Sequence, residues 1–252
     1  IISGAGDIAV SGAGTLTLSG NNTFSGGTVL NSGSLNLGSP GALSTVGTVI
    51  FNGGVLQYSP SNQTDYSGRF STASNQVYKI DTNSEDVTFS APLNSAGTLL
   101  EKIGEGKLIF SDLSRFTAGG FTTTISGGDL VLPTNDPSLL TANSLFSGAG
   151  TLRIEPISPS FGSNITLSSL SFGSGIFGGV TGSTFGSLVL GKSGNAVDLL
   201  LDGLPSNVSV NSDQTYYGSE VTVPSGANVG VRTFAGGTLS LIAQTDIHIY
   251  DT

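Results

Sequence analysis

Residues 11–38 read Ser11-Gly12-Ala13-Gly14-Thr15-Leu16-Thr17-Leu18-Ser19-Gly20-Asn21-Asn22-Thr23-Phe24-Ser25-Gly26-Gly27-Thr28-Val29-Leu30-Asn31-Ser32-Gly33-Ser34-Leu35-Asn36-Leu37-Gly38. One small unit occurs twice in them: Gly, any residue, Leu, any residue, large apolar. It appears as Gly14-Thr15-Leu16-Thr17-Leu18 and as Gly33-Ser34-Leu35-Asn36-Leu37. The unit returns at Gly54 to Tyr58, Gly106 to Phe110, Gly128 to Leu132, Gly150 to Ile154, Gly186 to Leu190 and Gly237 to Leu241. Its best-spaced copies lie roughly 20 residues apart, the signature of a repeat architecture. Inside each copy the alternation has the strand period, apolar on one side and Thr, Ser or Asn on the other. One short strand per step, stacked in register, predicts an all-β fold: a parallel β-solenoid of roughly 20 residues per coil. At about 4.8 Å of rise per coil, some 12 coils would make a rod on the order of 55 Å long.

Composition narrows the function classes. Eight Lys and Arg stand against 17 Asp and Glu, for a formal net charge of −9. That balance argues against nucleic acid, whose phosphates need clustered cations, and against an anionic membrane surface. The 38 glycines lack a strict period of three, which excludes collagen, and the patterned apolar residues exclude disorder. With no Cys, there is no disulfide framework, thiolate metal site or cysteine nucleophile. No apolar run approaches the roughly 20 residues that span a bilayer, so no membrane insertion of this segment is expected. With no Met at all, Ile1 is not an initiator, and the chain is read as a processed or excised piece.

Along the chain, residues 1–154 form the more regular part and 155–252 a looser one, read together as a single solenoid segment, 1–252, of a longer exported protein. Residues 59–68 read as a loop leaving the stack. Pro133 to Asn143 is the best place for a short helix or protruding loop. Asn211 to Gly218 shows no period and reads as irregular.

Residues 12–43, and less closely 106–132, resemble the autotransporter-associated β-strand repeat of bacterial autotransporter passengers. Gly236 to Ile249 is similar to repeats of filamentous-haemagglutinin-type exoproteins. The resemblance implies a right-handed parallel β-helix, displayed outside a Gram-negative cell as an extracellular or cell-surface segment.

Candidate chemistry is sparse. His248, the single histidine, alternates with Ile247 and Ile249 and should face outward. With no second His or Cys, it completes no metal site, and no Gly-x-Ser-x-Gly elbow is present. Gly173-Ser174-Gly175-Ile176-Phe177-Gly178 has dinucleotide-type spacing but no helix after it. Asp81, Glu85 and Asp86, and Glu101 with Glu105, could pair for glycoside hydrolysis or Ca²⁺, but read better as solvated turn charges. Tyr66, Tyr216 and Tyr217 are the candidate contacts for a sugar or protein partner, although Tyr more often packs. No catalytic residue, cofactor or metal is expected.

The expected function is therefore a structural or adhesive surface rod, serving adhesion, aggregation or biofilm. Its partner would be a host or neighbouring-cell surface protein or glycan. A β-helical enzyme degrading polysaccharide and a self-assembling extracellular filament subunit are the alternatives.

Overall fold

The computed structural model of the chain describes residues 1–118, 122–137, 145–167, 183–203, 208–210, 212–225 and 237–250. It is nearly all β, a parallel β-solenoid of about 22 residues per coil. The chain divides into two compact units, residues 1–115 with 121–128, and residues 116–120 with 129–252.

In the first unit, one sheet stacks Thr15–Leu18, Ser34–Leu37, Val55–Gln57, Val77–Asp81, Leu99–Ile103 and Thr122–Ile125 in that order, every pairing parallel. A second sheet stacks Ile8–Val10, Thr28–Leu30 and Val49–Phe51. Val87–Phe89 pairs Lys107–Phe110 in a third. The register runs Leu16, Leu35, Leu56, Ile80, Lys102, Ile125, so like positions of successive coils fall into one column. Leu35, Leu56, Ile80 and Ile125 of that column are fully buried, each worth about 1.5–3 kcal/mol of burial. Leu16 begins the column and is 41% exposed, because its strand has a neighbour on one side only. Rings fill the interior further along. Phe51 meets Phe70 at 5.0 Å and Tyr78 at 5.2 Å, and Phe89 meets Phe70 at 5.3 Å and Phe110 at 5.6 Å.

The glycine of the repeat has a steric cause. Gly33 enters its strand at φ +67°, and a Cβ there would overlap the carbonyl oxygens of Gly12 and Gly14 in the coil below. Only glycine allows both that backbone and that approach. On the outer face, amides ladder from coil to coil. Asn36 Nδ2 donates to Gln57 Oε1 at 2.8 Å, and Gln57 Nε2 donates to Asp81 Oδ2 at 2.8 Å.

Lys102 breaks the pattern of the leucine column. It sits in the interior with 0% exposure, and its ammonium donates to the carbonyls of Ile103 (3.1 Å), Gly104 (2.6 Å) and Gly127 (2.9 Å). The stem packs as an apolar chain, while carbonyls at the strand ends solvate the head.

In the second unit Asp129–Pro133, Thr151–Glu155, Ser187–Leu190, Gln214–Val223 and Leu239–Ile249 follow one another in parallel. The inward column is Leu130, Leu152, Leu188, Gln214. Gln214 is buried, its Oε1 accepting the Tyr216 hydroxyl at 2.8 Å. Leu199–Leu200 pairs with Ile165–Thr166 on one side and with Val221 and Thr222 on the other. Leu145–Ser147, Ser183–Phe185 and Val208–Val210 pair in parallel in that order.

Two local expectations change. Residues 59–68 do not leave the stack: Asn62, Tyr66 and Ser67 are buried, and the segment closes in a 3-10 turn at Ser67–Arg69. Arg69 fastens it by donating to the carbonyls of Gly47 (2.8 Å), Ser44 (2.5 Å) and Val46. Residues 214–218 are not irregular but open a ten-residue strand. Pro133 ends a strand, and residues 138–143 of the expected helix or loop lie outside the described residues.

Candidate binding groove

The three tyrosines singled out in the sequence have different fates. The Tyr66 ring is 4% exposed, receives Asn62 Nδ2 at 2.9 Å on its hydroxyl, and lies under the Arg69 guanidinium at 5.7 Å. Tyr216 is 0% exposed, and burial pushes its hydroxyl far above the usual pKa. Both rings are interior packing, out of reach of a partner. Tyr217 is the next residue on the same strand, so its side chain points to the opposite face, and it is half-buried.

Tyr217 lines a cavity of about 180 Å³ with Lys192, Asn195 and Gln244, beside the small residues Gly194 and Ala243. Three successive segments build it. After the strand Ser187–Leu190, Gly191 turns the chain at φ +85°. A Cβ at Gly191 would lie 2.7 Å from the Tyr217 carbonyl oxygen, so glycine lets the turn pass directly beneath that residue. Asn195 then locks the turn from within, at 1% exposure. Its backbone N–H donates to Lys192 O at 3.0 Å. Its Oδ1 accepts from Ser160 Oγ (2.9 Å) and Phe161 N (3.2 Å), and its Nδ2 donates to Tyr217 O at 2.6 Å.

The third segment is Leu239–Ile249. Gly218 pairs with Ala243 but Glu220 pairs with Asp246, so this strand carries one extra residue between them. The bulge falls where Gln244 sits, and Gln244 Nε2 reaches back to Asn195 O at 2.9 Å. Bulges re-aim side chains in this way beside functional sites. Lys192 completes the groove. Its ammonium donates to Pro156 O at 2.7 Å, and among the described residues no carboxylate pairs with it. Other cations are more heavily engaged. Lys79 pairs with Glu101 (3.7 Å), Lys107 with Asp86 (3.4 Å), and Arg153 with Asp129 and with Glu155 (3.4 Å).

Acidic side chains outside the groove are tied into turns. Asp81 accepts from Gln57 Nε2 and from Asn83 N, each at 2.8 Å, and Glu85 accepts from Gln63. Asp86 accepts the Lys107 N–H at 3.0 Å, and Glu105 offers its backbone carbonyl to Ser84 N at 2.9 Å. Among the described residues no three His, Asp or Glu side chains converge. His248 faces outward, half-buried, with its Nε2 3.8 Å from Glu220 Oε1. Residues 173–178, with the dinucleotide-type glycines, lie outside the described residues.

The sequence reading reached Tyr217 but missed Lys192, Asn195 and Gln244. A signal for Lys192 was present: it is the sole cation between Arg153 and Arg232, set in the polar turn Gly191-Lys192-Ser193-Gly194-Asn195 directly after a repeat unit. Gln244 carried none, because the bulge depends on pairing to another strand.

Residues 9–37 and 100–132 match the family model of the passenger-associated-transport-repeat. Both stretches are therefore similar to passenger-type repeats. The matches overlap the two stretches whose resemblance to passenger repeats is visible by eye, 12–43 and 106–132. Each also spans one step from a strand to its parallel neighbour. The first runs from strand Thr15–Leu18 to its parallel neighbour Ser34–Leu37, and the second contains Leu100 and its partner Thr123. No curated protein and no solved structure matches the chain.

Proposed function

We propose that this chain is an exported passenger segment, displayed on or released from a bacterial cell, that uses its outer faces for adhesion. The observation that carries the reading is the coincidence of the passenger-type repeat with the strand-to-strand step of a parallel solenoid. A solenoid presents long, repetitive outer faces at low cost in chain design. Here those faces carry mainly amides and hydroxyls, as in the Asn36, Gln57, Asp81 ladder. The partner class is a glycan or a protein on a neighbouring surface. The similarity of residues 236–249 to filamentous-haemagglutinin-type repeats is part of the same proposal, since such repeats serve exported proteins too.

The test has two arms. Antibody raised against the purified chain should label intact cells of the source bacterium, or its culture medium, and external protease should abolish the cell label. Beads coated with the chain should then adhere to cells or to immobilised extracellular polysaccharide more than beads coated with an inert protein. A chain found only behind an intact cell envelope would overturn the passenger reading. Surface display without bead adhesion would overturn the adhesive role alone.

A further inference from the structure

The groove at Lys192, Tyr217 and Gln244 has a chemistry of its own. Its volume of about 180 Å³ is below the roughly 300–1,000 Å³ typical of small-molecule sites. It therefore takes one compact unit of a larger chain rather than a free, drug-sized molecule. Tyr217 supplies a half-buried ring, a flat apolar face with a polar tip. Its hydroxyl has no hydrogen bond among the described residues, and neither has Gln244 Oε1. Lys192 supplies a positive charge with no carboxylate beside it, in a chain of net charge −9. Holding an uncompensated cation there is unfavourable to no one partner in the fold, and favourable to an anion that arrives.

The site is also held in place before anything binds. Asn195 uses its side-chain oxygen and nitrogen on Ser160, Phe161 and Tyr217, and Gln244 is anchored to Asn195 O across the bulge. A pre-set groove loses little entropy on binding.

We propose that this groove binds a single uronic-acid residue of an acidic polysaccharide. The sugar carboxylate meets the Lys192 ammonium, the pyranose face lies against the Tyr217 ring, and ring hydroxyls bond Gln244 Oε1 and the Tyr217 hydroxyl. This deepens the adhesive reading and rests on it, since such polymers are met outside the cell.

Isothermal titration of the purified 252-residue chain with trigalacturonic acid tests the proposal, with trigalacturonic acid methyl ester as the control that keeps the rings and removes the charge. Measurable binding of the acid is expected, at least about tenfold tighter than of the ester, a difference of ~1.4 kcal/mol. Lys192→Gln should reduce binding of the acid to the level of the ester, Lys192→Arg should retain most of it, and Tyr217→Ala should weaken acid and ester alike. Lys192 is at the surface, so Lys192→Gln should leave the far-ultraviolet circular dichroism unchanged and keeps the test independent of folding. No binding of the acid, equal binding of acid and ester, or an unaffected Lys192→Gln protein would overturn the proposal. Equal binding of a polyglutamate peptide that ignores Tyr217→Ala would also overturn it, in favour of a merely electrostatic contact. Failure here with surface display intact sinks the groove and leaves the passenger reading standing. Uronate binding by a chain confined behind the envelope does the reverse.

Discussion

The repeat glycine offers a comparison internal to the motif. Gly14 and Gly33 occupy the same place in successive units, yet the structure loads them differently. Gly14 has ordinary φ, and a Cβ on it would find open space. Gly33 has φ +67°, and its Cβ would strike the carbonyl oxygens of Gly12 and Gly14. Placing an L residue in the left-handed region costs about 1–2 kcal/mol. The overlap adds roughly 1–3 kcal/mol, since relief must separate two coils joined by the Ser34 N to Gly14 O bond at 3.0 Å. Gly33→Ala should therefore destabilise its coil by about 2–5 kcal/mol. Gly14→Ala should be neutral or stabilise slightly, by up to ~1 kcal/mol, through the unfolded state. Because the chain has two compact units, a global melt need not be two-state. Hydrogen exchange resolved to the amides of Ser34–Leu37 is the sharper assay. Exchange there should accelerate on the order of 30-fold or more in Gly33→Ala, as ~2 kcal/mol requires. Equal protection in the two variants would refute the claim that coil-to-coil clearance, rather than local turn preference, selects glycine.

Other substitutions probe the interior and its titration. Leu56→Ala, between buried Leu35 and Ile80, should cost about 2–5 kcal/mol, whereas Leu16→Ala at the exposed start of the same column should cost under ~1; urea titration of the two proteins compares them. Lys102→Ala removes both the packed stem and the head that serves three carbonyls, and should lower stability by about 3–5 kcal/mol in the same assay. Partial burial pushes the pKa of Asp65 up, but hydrogen bonds from Ser67 and Ser90 outweigh it and hold the carboxylate below its usual range. A depressed folded pKa contributes stability above the unfolded value near ~3.9, and that contribution is lost as pH falls through the folded value. Melting temperatures from pH 6 to pH 2 should therefore fall more steeply in the wild type than in Asp65→Asn below about pH 4; parallel curves would remove Asp65 from the acid response.

How much of this could be read in advance depended on whether a residue obeyed its column. Leu35, Leu37, Leu56, Leu108, Leu130, Leu152 and Leu188 announce themselves, because apolar residues at period two must find an interior. The first half of strand Gln214–Val223 did not, because its inward positions carry Gln214 and Tyr216, two polar side chains that satisfy each other at 2.8 Å. A hydrophobic pattern cannot register a polar pair whose partner is two residues away on the same face. Lys102 hides for a related reason: its charge says surface, while its register with Ile80 and Ile125 says interior. Carbonyls freed at the strand end by the turning glycines Gly104 (φ +72°) and Gly128 (φ +59°) reconcile the two.

The groove follows the same logic with the sign reversed. Where the fold buries Lys102 and Asn195, it surrounds them with partners: Lys102 with three carbonyls, Asn195 with five bonds counting its backbone N–H and carbonyl. Where it sets Lys192, Tyr217 and Gln244 around one groove, it leaves the Tyr217 hydroxyl and Gln244 Oε1 without a hydrogen bond among the described residues and Lys192 without a carboxylate. Solvent could serve any one of them alone. Their convergence on a turn that requires glycine at 191 and on a bulge at 244 takes two departures from the regular coil. Each departure interrupts the regular ladder at that spot. Paired local irregularity is where a repetitive scaffold places specificity. If Lys192→Gln leaves uronate binding untouched, that inference from paired irregularities fails along with the site.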